Sequence, residues 1–286
     1  GFQGSSYGFK SGGESGSSSI AQYSFTADGS GTDVGALFLP RSRVAGQSSK
    51  VNGYTSGGFA DPQYKTTIDK FAFASLGTAT FVGDLTLARW YLMGQSSSDN
   101  GYASGGASYG SRESRIDKFP FATNANGTNI GSLTVSRDSG SGISATTHGY
   151  TAGGSYPEVN RIDKFSYSAD GNATVVGSLG DQRSKTVGHS STTHGYVSGG
   201  MPWAGSFSDL SIEKFTFASD GNATVVSSLN NNTPNYATGT SSTTHGYIAG
   251  GNVNNAIQKF PYASEATVTS IGALPGRSYA AASQHV

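Results

Sequence analysis

Three histidines stand in nearly the same ten residues: ATTHGYTAGG around His148, STTHGYVSGG around His194 and STTHGYIAGG around His245. Histidine serves acid–base catalysis and zinc binding, and three of them would fill a His₃ metal site if they converged. Arginine recurs in a second setting, at Arg41, Arg89, Arg137, Arg183 and Arg277, as groups that hold an anionic substrate would. Carboxylates recur in a third, at Asp69, Asp117, Asp163 and Glu213. Asp61, Glu113, Glu158 and Asp209 form a further set in segments of variable sequence. A glycan hydrolase would need two of these roughly 5–9.5 Å apart. ADGSGTD (27–33) and TNANGTN (123–129) place oxygen ligands at alternate positions, as calcium loops do, but no bidentate glutamate follows.

Recurrence within the chain argues against most of this chemistry. At the position of His194, other units carry Tyr7, Asn52 and Asn100. A metal ligand does not interchange with Tyr and Asn, whereas a turn residue does. His189 and His285 have no clear partner in the sequence. The arginine fork is expected to bond several loop carbonyls and join neighbouring units. The repeated acids and the DGNAT turns read as scaffold too. The Asn126, Asn172 and Asn222 sequons are short enough to be incidental. The paired glycines precede a strand rather than a helix N-terminus, so they are not phosphate loops.

Six glycine pairs, at Gly12, Gly57, Gly105, Gly153, Gly199, Gly250 and the residue after each, set intervals of 45, 48, 48, 46 and 51 residues. Each pair closes a short run such as GYTSGG. A variable loop follows, then a run such as IDKFAFAS, a polar turn such as DGNAT and a third run such as TVVGSL. An arginine and a run of small residues complete the unit. Four short runs between turn residues predict a four-stranded antiparallel blade. Phe71 and Phe73 point to one face of their sheet and Ile68 and Ala72 to the other, as a sheet packed between two neighbours requires. Lys70 shares the Ile68 face, with its ammonium reaching water.

The expected fold is all-β: one domain over 1–286, a six-bladed β-propeller of four-stranded antiparallel blades. The last run, RSYAAASQHV, matches only a first strand, and the first residues, GFQGSSYGFKSGG, supply a second. Closure is therefore expected through pairing of the N- and C-terminal strands, with 278–284 beside Tyr7–Gly12, leaving no ragged sheet edge.

Composition narrows function further. Of 286 residues, 42 are Gly, 15 Tyr and 15 Phe, and 18 Lys+Arg balance 18 Asp+Glu. A neutral chain without basic runs lacks the footprint of a nucleic-acid binder. No apolar run approaches the length of about 20 residues that a membrane helix needs. There is no cysteine, which removes disulfides and thiolate chemistry. No cofactor or metal is expected.

The glycine pair after an aromatic strand, the IDKF strand and the arginine opening the next unit resemble the kelch-type β-propeller over essentially the whole chain. The kelch Trp before the arginine is replaced here by the Val-Gly of VVGSL. The wording HGYxxGG…IDKFxFAxDxNATxVGxL is similar to repeats of structural and tail-associated proteins of marine bacteriophages. That resemblance implies a tail-fibre, receptor-binding or virion-surface role, on a virion or extracellular surface.

Residues that differ between units are freer to bind. Between each glycine pair and the following strand stand FADPQYKTT, ASYGSRESR, SYPEVNR and MPWAGSFSDLS among others. These loops and those through the arginines are expected at one end of the propeller. They would gather Tyr64, Trp90, Tyr91, Tyr109, Arg112, Glu113, Tyr156, Glu158, Trp203 and Phe207 as ligand-binding residues, with Asp138, Asn235 and Tyr236 nearby. Aromatics amid amides and hydroxyls suit a glycan or a protein epitope. The leading expectation is a non-enzymatic adhesion module facing host-surface glycan or neighbouring virion proteins. Any homo-oligomer would form through segments outside this chain. The alternatives are a glycan-active hydrolase or lyase and an extracellular bacterial adhesion protein.

Overall fold

A strand with both faces apolar has to be covered twice, and in the computed structural model every IDKF-type strand is. The structure describes residues 5–157, 159–202, 209–230, 235–251, 254–265, 267–276 and 280–284. Six antiparallel four-stranded sheets surround one axis as a β-propeller. The second blade sets the pattern: Ala45–Ser48 is innermost, then Asn52–Ser56, Thr67–Ala72 and the outermost Thr80–Asp84. In the first blade Ala281–Gln284 lies antiparallel to Tyr7–Ser11, with Ser11 opposite Ala281 and Gly8 opposite Gln284. Residues 277–279, part of the segment expected to pair here, lie outside the described residues.

Blades interlock through aromatics. Tyr54 stacks on Phe121 of the next blade at 4.6 Å between centroids. Tyr102 stacks likewise on Tyr167, Tyr150 on Phe217 and Tyr196 on Tyr262. Phe9 stacks on Phe73 between the first and second blades, and Tyr247 on Phe25 between the sixth and first. The same contact therefore occurs at all six blade junctions.

The innermost strands of the second to sixth blades read x-Gly-x-Ser because they crowd the axis, while the first blade carries Ala282 at the glycine position. A Cβ on Gly94 would lie 2.2 Å from the Gly46 carbonyl oxygen, and one on Gly142 would lie 2.2 Å from that of Gly94. Those obstacles are backbone and cannot swing aside, so at Gly94 and Gly142 only glycine fits. The serines bond around the ring: the backbone N–H of Ser48 donates to Ser96 Oγ (2.9 Å), that of Ser96 to Ser144 Oγ (3.0 Å), and that of Ser144 to Ser190 Oγ (3.1 Å).

Four of the repeated arginines, Arg41, Arg89, Arg137 and Arg183, form ion pairs with the repeated acids, with side chains of both partners fully buried in three blades. Arg41 meets Asp69 at 2.9 Å, Arg89 meets Asp117 at 2.8 Å and Arg137 meets Asp163 at 3.2 Å. Arg183 pairs with Glu213 and also with Asp209. The expectation that the fork itself joins blades needs correction. Arg89 donates to the carbonyls of Gly105 and Arg115, within the blade it leads into. The joining is done by the partner: Asp117 accepts from the N–H and hydroxyl of Thr86 in the preceding blade. The second glycine of the first four pairs adds to this, as Gly106 N–H donates to the Arg137 carbonyl at 2.9 Å. In the sixth blade both members are absent together: Pro234 stands at the arginine position and Gln258 at the acid position. In the first blade, by contrast, the sequence keeps Arg277 at the arginine position while Ala21 stands at the acid position.

His189 takes the place that Gln47 and Gln95 hold in their innermost strands, and its Nδ1 contacts the Thr240 carbonyl oxygen at 3.2 Å. Burial pushes the imidazole down to about 4, against the effect of that carbonyl. Unfolded, it titrates near 6.5. Between these values the unfolded state binds more protons, so stability falls as pH drops through this window. The expected loss from this group is about 2–3 kcal/mol by pH 4.5. His189→Gln should lose correspondingly less stability between pH 7 and pH 4.5 in urea titrations. Equal losses in both proteins would contradict it.

Candidate binding face at the channel mouth

The DGNAT end is spoken for by blade-to-blade contacts. Lys118 pairs with Asp170 and Lys164 with Asp220, each at 2.6 Å, and Lys259 with Asp28 at 2.5 Å; each acid lies on the next blade's turn. Lys214 pairs with Glu265 in the same way, and Lys70 donates to Asn124 Oδ1 at 2.8 Å. The sequon asparagines accept from neighbouring outermost strands: Asn126 from Asp84 N–H, Asn172 from Ser132 N–H, Asn222 from Ser178 N–H. The oxygen-rich turns at 27–33 and 123–129 thus serve as clamps. No cluster of three or more metal-ligating His, Asp or Glu occurs among the described residues.

The three HGY histidines also lie at turns. His194 N–H donates to Ser191 Oγ at 2.9 Å, as Asn52 N–H does to Ser49 Oγ and Asn100 N–H to Ser97 Oγ, each at 3.0 Å. The turn is the same with His194 as with Asn52 or Asn100 in place. Thr193 Oγ1 sits 2.8 Å from His194 Nδ1, and the Thr147–His148 and Thr244–His245 pairs repeat this. Burial, then Lys214, lowers the pKa of His194.

At the opposite end, the loop leading into the second, third and fourth blades bridges the segment after the glycine pair: Ser42 with Phe59, Trp90 with Ala107, Asp138 with Ser155. Both sets of variable residues therefore share one face. In two blades the segment folds into a small hairpin, Phe59–Ala60 with Gln63–Tyr64 and Ala107–Ser108 with Ser111–Arg112. These hairpins gather an aromatic row. Tyr109 lies 4.4 Å from Tyr64, Tyr64 stacks on Trp90 at 5.0 Å, and Trp90 lies 4.9 Å from Tyr91. Arg43 covers the Trp90 ring at 4.4 Å. Tyr109 and Tyr156 are 66% and 65% exposed, the most exposed rings among the described residues.

Tyr64, Trp90, Tyr91 and Tyr109 are thus brought together. Arg112 and Tyr156 form a second group: the guanidinium lies 4.0 Å over the Tyr156 ring and pairs with Asp138 at 2.6 Å. Glu113 turns back into its own hairpin, accepting from Ser108 and Ser111 at 2.7 and 2.9 Å. Glu158, Trp203 and Phe207 lie outside the described residues. Of the hydrolytic candidates, Asp209 is taken by Arg183, while Asp61 lines an open cleft with Glu14, Leu39, Pro40, Arg43 and Phe59.

One feature of this face escapes the sequence. Arg43, Tyr91, Ser139, Lys185 and Tyr236 occupy the same position in five blades, two residues before the innermost strand, all with φ between 53° and 63°. Non-glycine residues enter this left-handed region at a cost. The cost is met by a chain of backbone bonds around the axis: Tyr91 N–H donates to the Arg43 carbonyl, Ser139 N–H to that of Tyr91 and Lys185 N–H to that of Ser139. These side chains encircle the mouth of the central channel. Tyr91 and Tyr236, from opposite blades, stack on each other at 5.5 Å. No hydrophobic periodicity marks such a position; the only trace is its constant distance from the small-residue run.

No family model and no curated protein matches the chain, so what is shown is the architecture, a six-bladed β-propeller.

Proposed function

We propose that the protein is a non-enzymatic binding module that presents the variable-loop face to glycan on a cell surface, and that it does so as part of a phage particle or another extracellular surface. The observation that carries the binding reading is the aromatic row running from exposed Tyr109 through Tyr64 and Trp90 to Tyr91. Ring faces stack on the apolar C–H faces of sugars, and rigid aromatics lose little side-chain entropy on binding. The opposite end, by contrast, spends its polar groups on contacts between blades. The virion assignment is supported by the wording of the repeats alone.

Tyr109→Ala is the test. On an array of neutral and acidic polysaccharides, it is expected to weaken binding by about 2 kcal/mol, as loss of a hot-spot aromatic does. The melting temperature should hold, because the ring is mostly exposed. Unchanged binding to every retained glycan would remove the aromatic row from recognition.

A further inference from the structure

Four of the side chains around the channel mouth form a sequence across the axis. The Arg43 guanidinium lies 5.3 Å from the Tyr91 ring centre, Tyr91 stacks on Tyr236, and the Lys185 ammonium lies 4.8 Å from the Tyr236 ring centre. Arg43 belongs to the second blade and Lys185 to the fifth, so the two cations face each other across the six-bladed ring. The fourth blade breaks the pattern, since Ser139 and Gly140 put almost no side chain between Tyr91 and Lys185. That gap borders a cavity of about 80 Å³ on the axis of the mouth, which Arg43, Tyr91, Gly140, Lys185, Tyr236 and Ala280 line from all six blades. The Lys185 ammonium donates to the thioether of Met201 at 3.3 Å. A thioether is a weak acceptor for a group with three strong donors.

We propose that the channel mouth is a subsite for a carboxylate-bearing sugar of the uronic-acid class, whose acid group enters the gap at Ser139–Gly140 and pairs with Lys185. The cavity takes a carboxylate but not a whole sugar ring, so the ring would stay outside against Tyr91 and Tyr236. Ser139 Oγ supplies a hydroxyl donor beside the acid, and the Arg43 guanidinium adds positive potential from the far side of the mouth. A carboxylate exchanged for the thioether gives the ammonium a charge-assisted hydrogen bond. Neutral sugars gain nothing from this exchange, so the site selects for charge. This deepens the glycan-binding reading and rests on it for the sugar class.

The test titrates glucuronate, glucose and acetate into the protein and reads binding by isothermal titration calorimetry. Glucuronate is expected to bind at least tenfold more tightly than glucose, with acetate measurably occupying the same site. Lys185→Gln should weaken glucuronate at least tenfold. Ser139→Asp supplies an internal carboxylate in the gap, and Asp tolerates the left-handed backbone there; it should abolish glucuronate binding while the protein stays folded. Equal affinity for glucuronate and glucose, or full glucuronate binding by either variant, overturns the proposal. If neutral polysaccharide binding responds to Tyr109→Ala while glucuronate shows no preference, the glycan-binding face stands and the acidic subsite falls. If glucuronate binds through Lys185 and no polysaccharide is retained, the subsite stands and the aromatic-row reading falls.

Discussion

Arg89→Met is expected to destabilise the protein by about 3–5 kcal/mol, the usual consequence of leaving a buried charge without its partner. Both side chains of the Arg89–Asp117 pair are fully buried. Burial lowers the pKa of Arg89, and the Asp117 carboxylate opposes that effect. Adding Asp117→Asn should recover about half of the loss: it removes the stranded charge while keeping an oxygen for the Thr86 N–H. In the sixth blade the sequence has neutral residues at both positions, Pro234 and Gln258. Urea unfolding of the single and double variants measures both effects. A single variant within about 1 kcal/mol of the parent would mean that the pair contributes no more than a surface ion pair does.

Phe71→Ala is expected to cost about 3–5 kcal/mol by opening a cavity between the first and second blades. The ring is 3% exposed and packs against Phe9 and Phe73 at 5.5 and 5.7 Å. Phe81, 46% exposed on the outermost strand, is the control, and its replacement by alanine should change stability by no more than about 0.5 kcal/mol. Comparable losses at the two sites would mean that the blade junction tolerates the cavity.

The architecture was legible because each blade repeats its punctuation. Paired glycines, IDKF and DGNAT fall at near-constant intervals, and both faces of Thr67–Ala72 carry apolar residues. The location of the variable loops at one end followed from strand alternation alone. Two things were not legible. The choice of Asp117 as the partner of Arg89 depends on how the chain folds back across 28 residues, and periodicity does not report such a fold-back. The meeting of Tyr91 and Tyr236 depends on both a left-handed backbone and the diametric placement of the third and sixth blades. Sequence marked both residues as departures from the repeat, but only the ring geometry brings them face to face. Arg112 and Glu113 are similar: grouped with the binding residues by position, they are engaged by Asp138 and by the serines of their own hairpin.

The absence of cysteine permits the most direct test of which face recognises a ligand. A single cysteine is placed at Gln63, exposed beside Tyr64, or at Gly171, exposed on a DGNAT turn with open space around it. Each variant is coupled to a bulky polyethylene glycol maleimide, and binding to the polysaccharide array is compared before and after coupling. Blocking at Gln63→Cys should abolish glycan retention, and blocking at Gly171→Cys should leave it intact. Retention that survives the block at residue 63 and is lost with the block at residue 171 would contradict the assignment and place recognition at the DGNAT end.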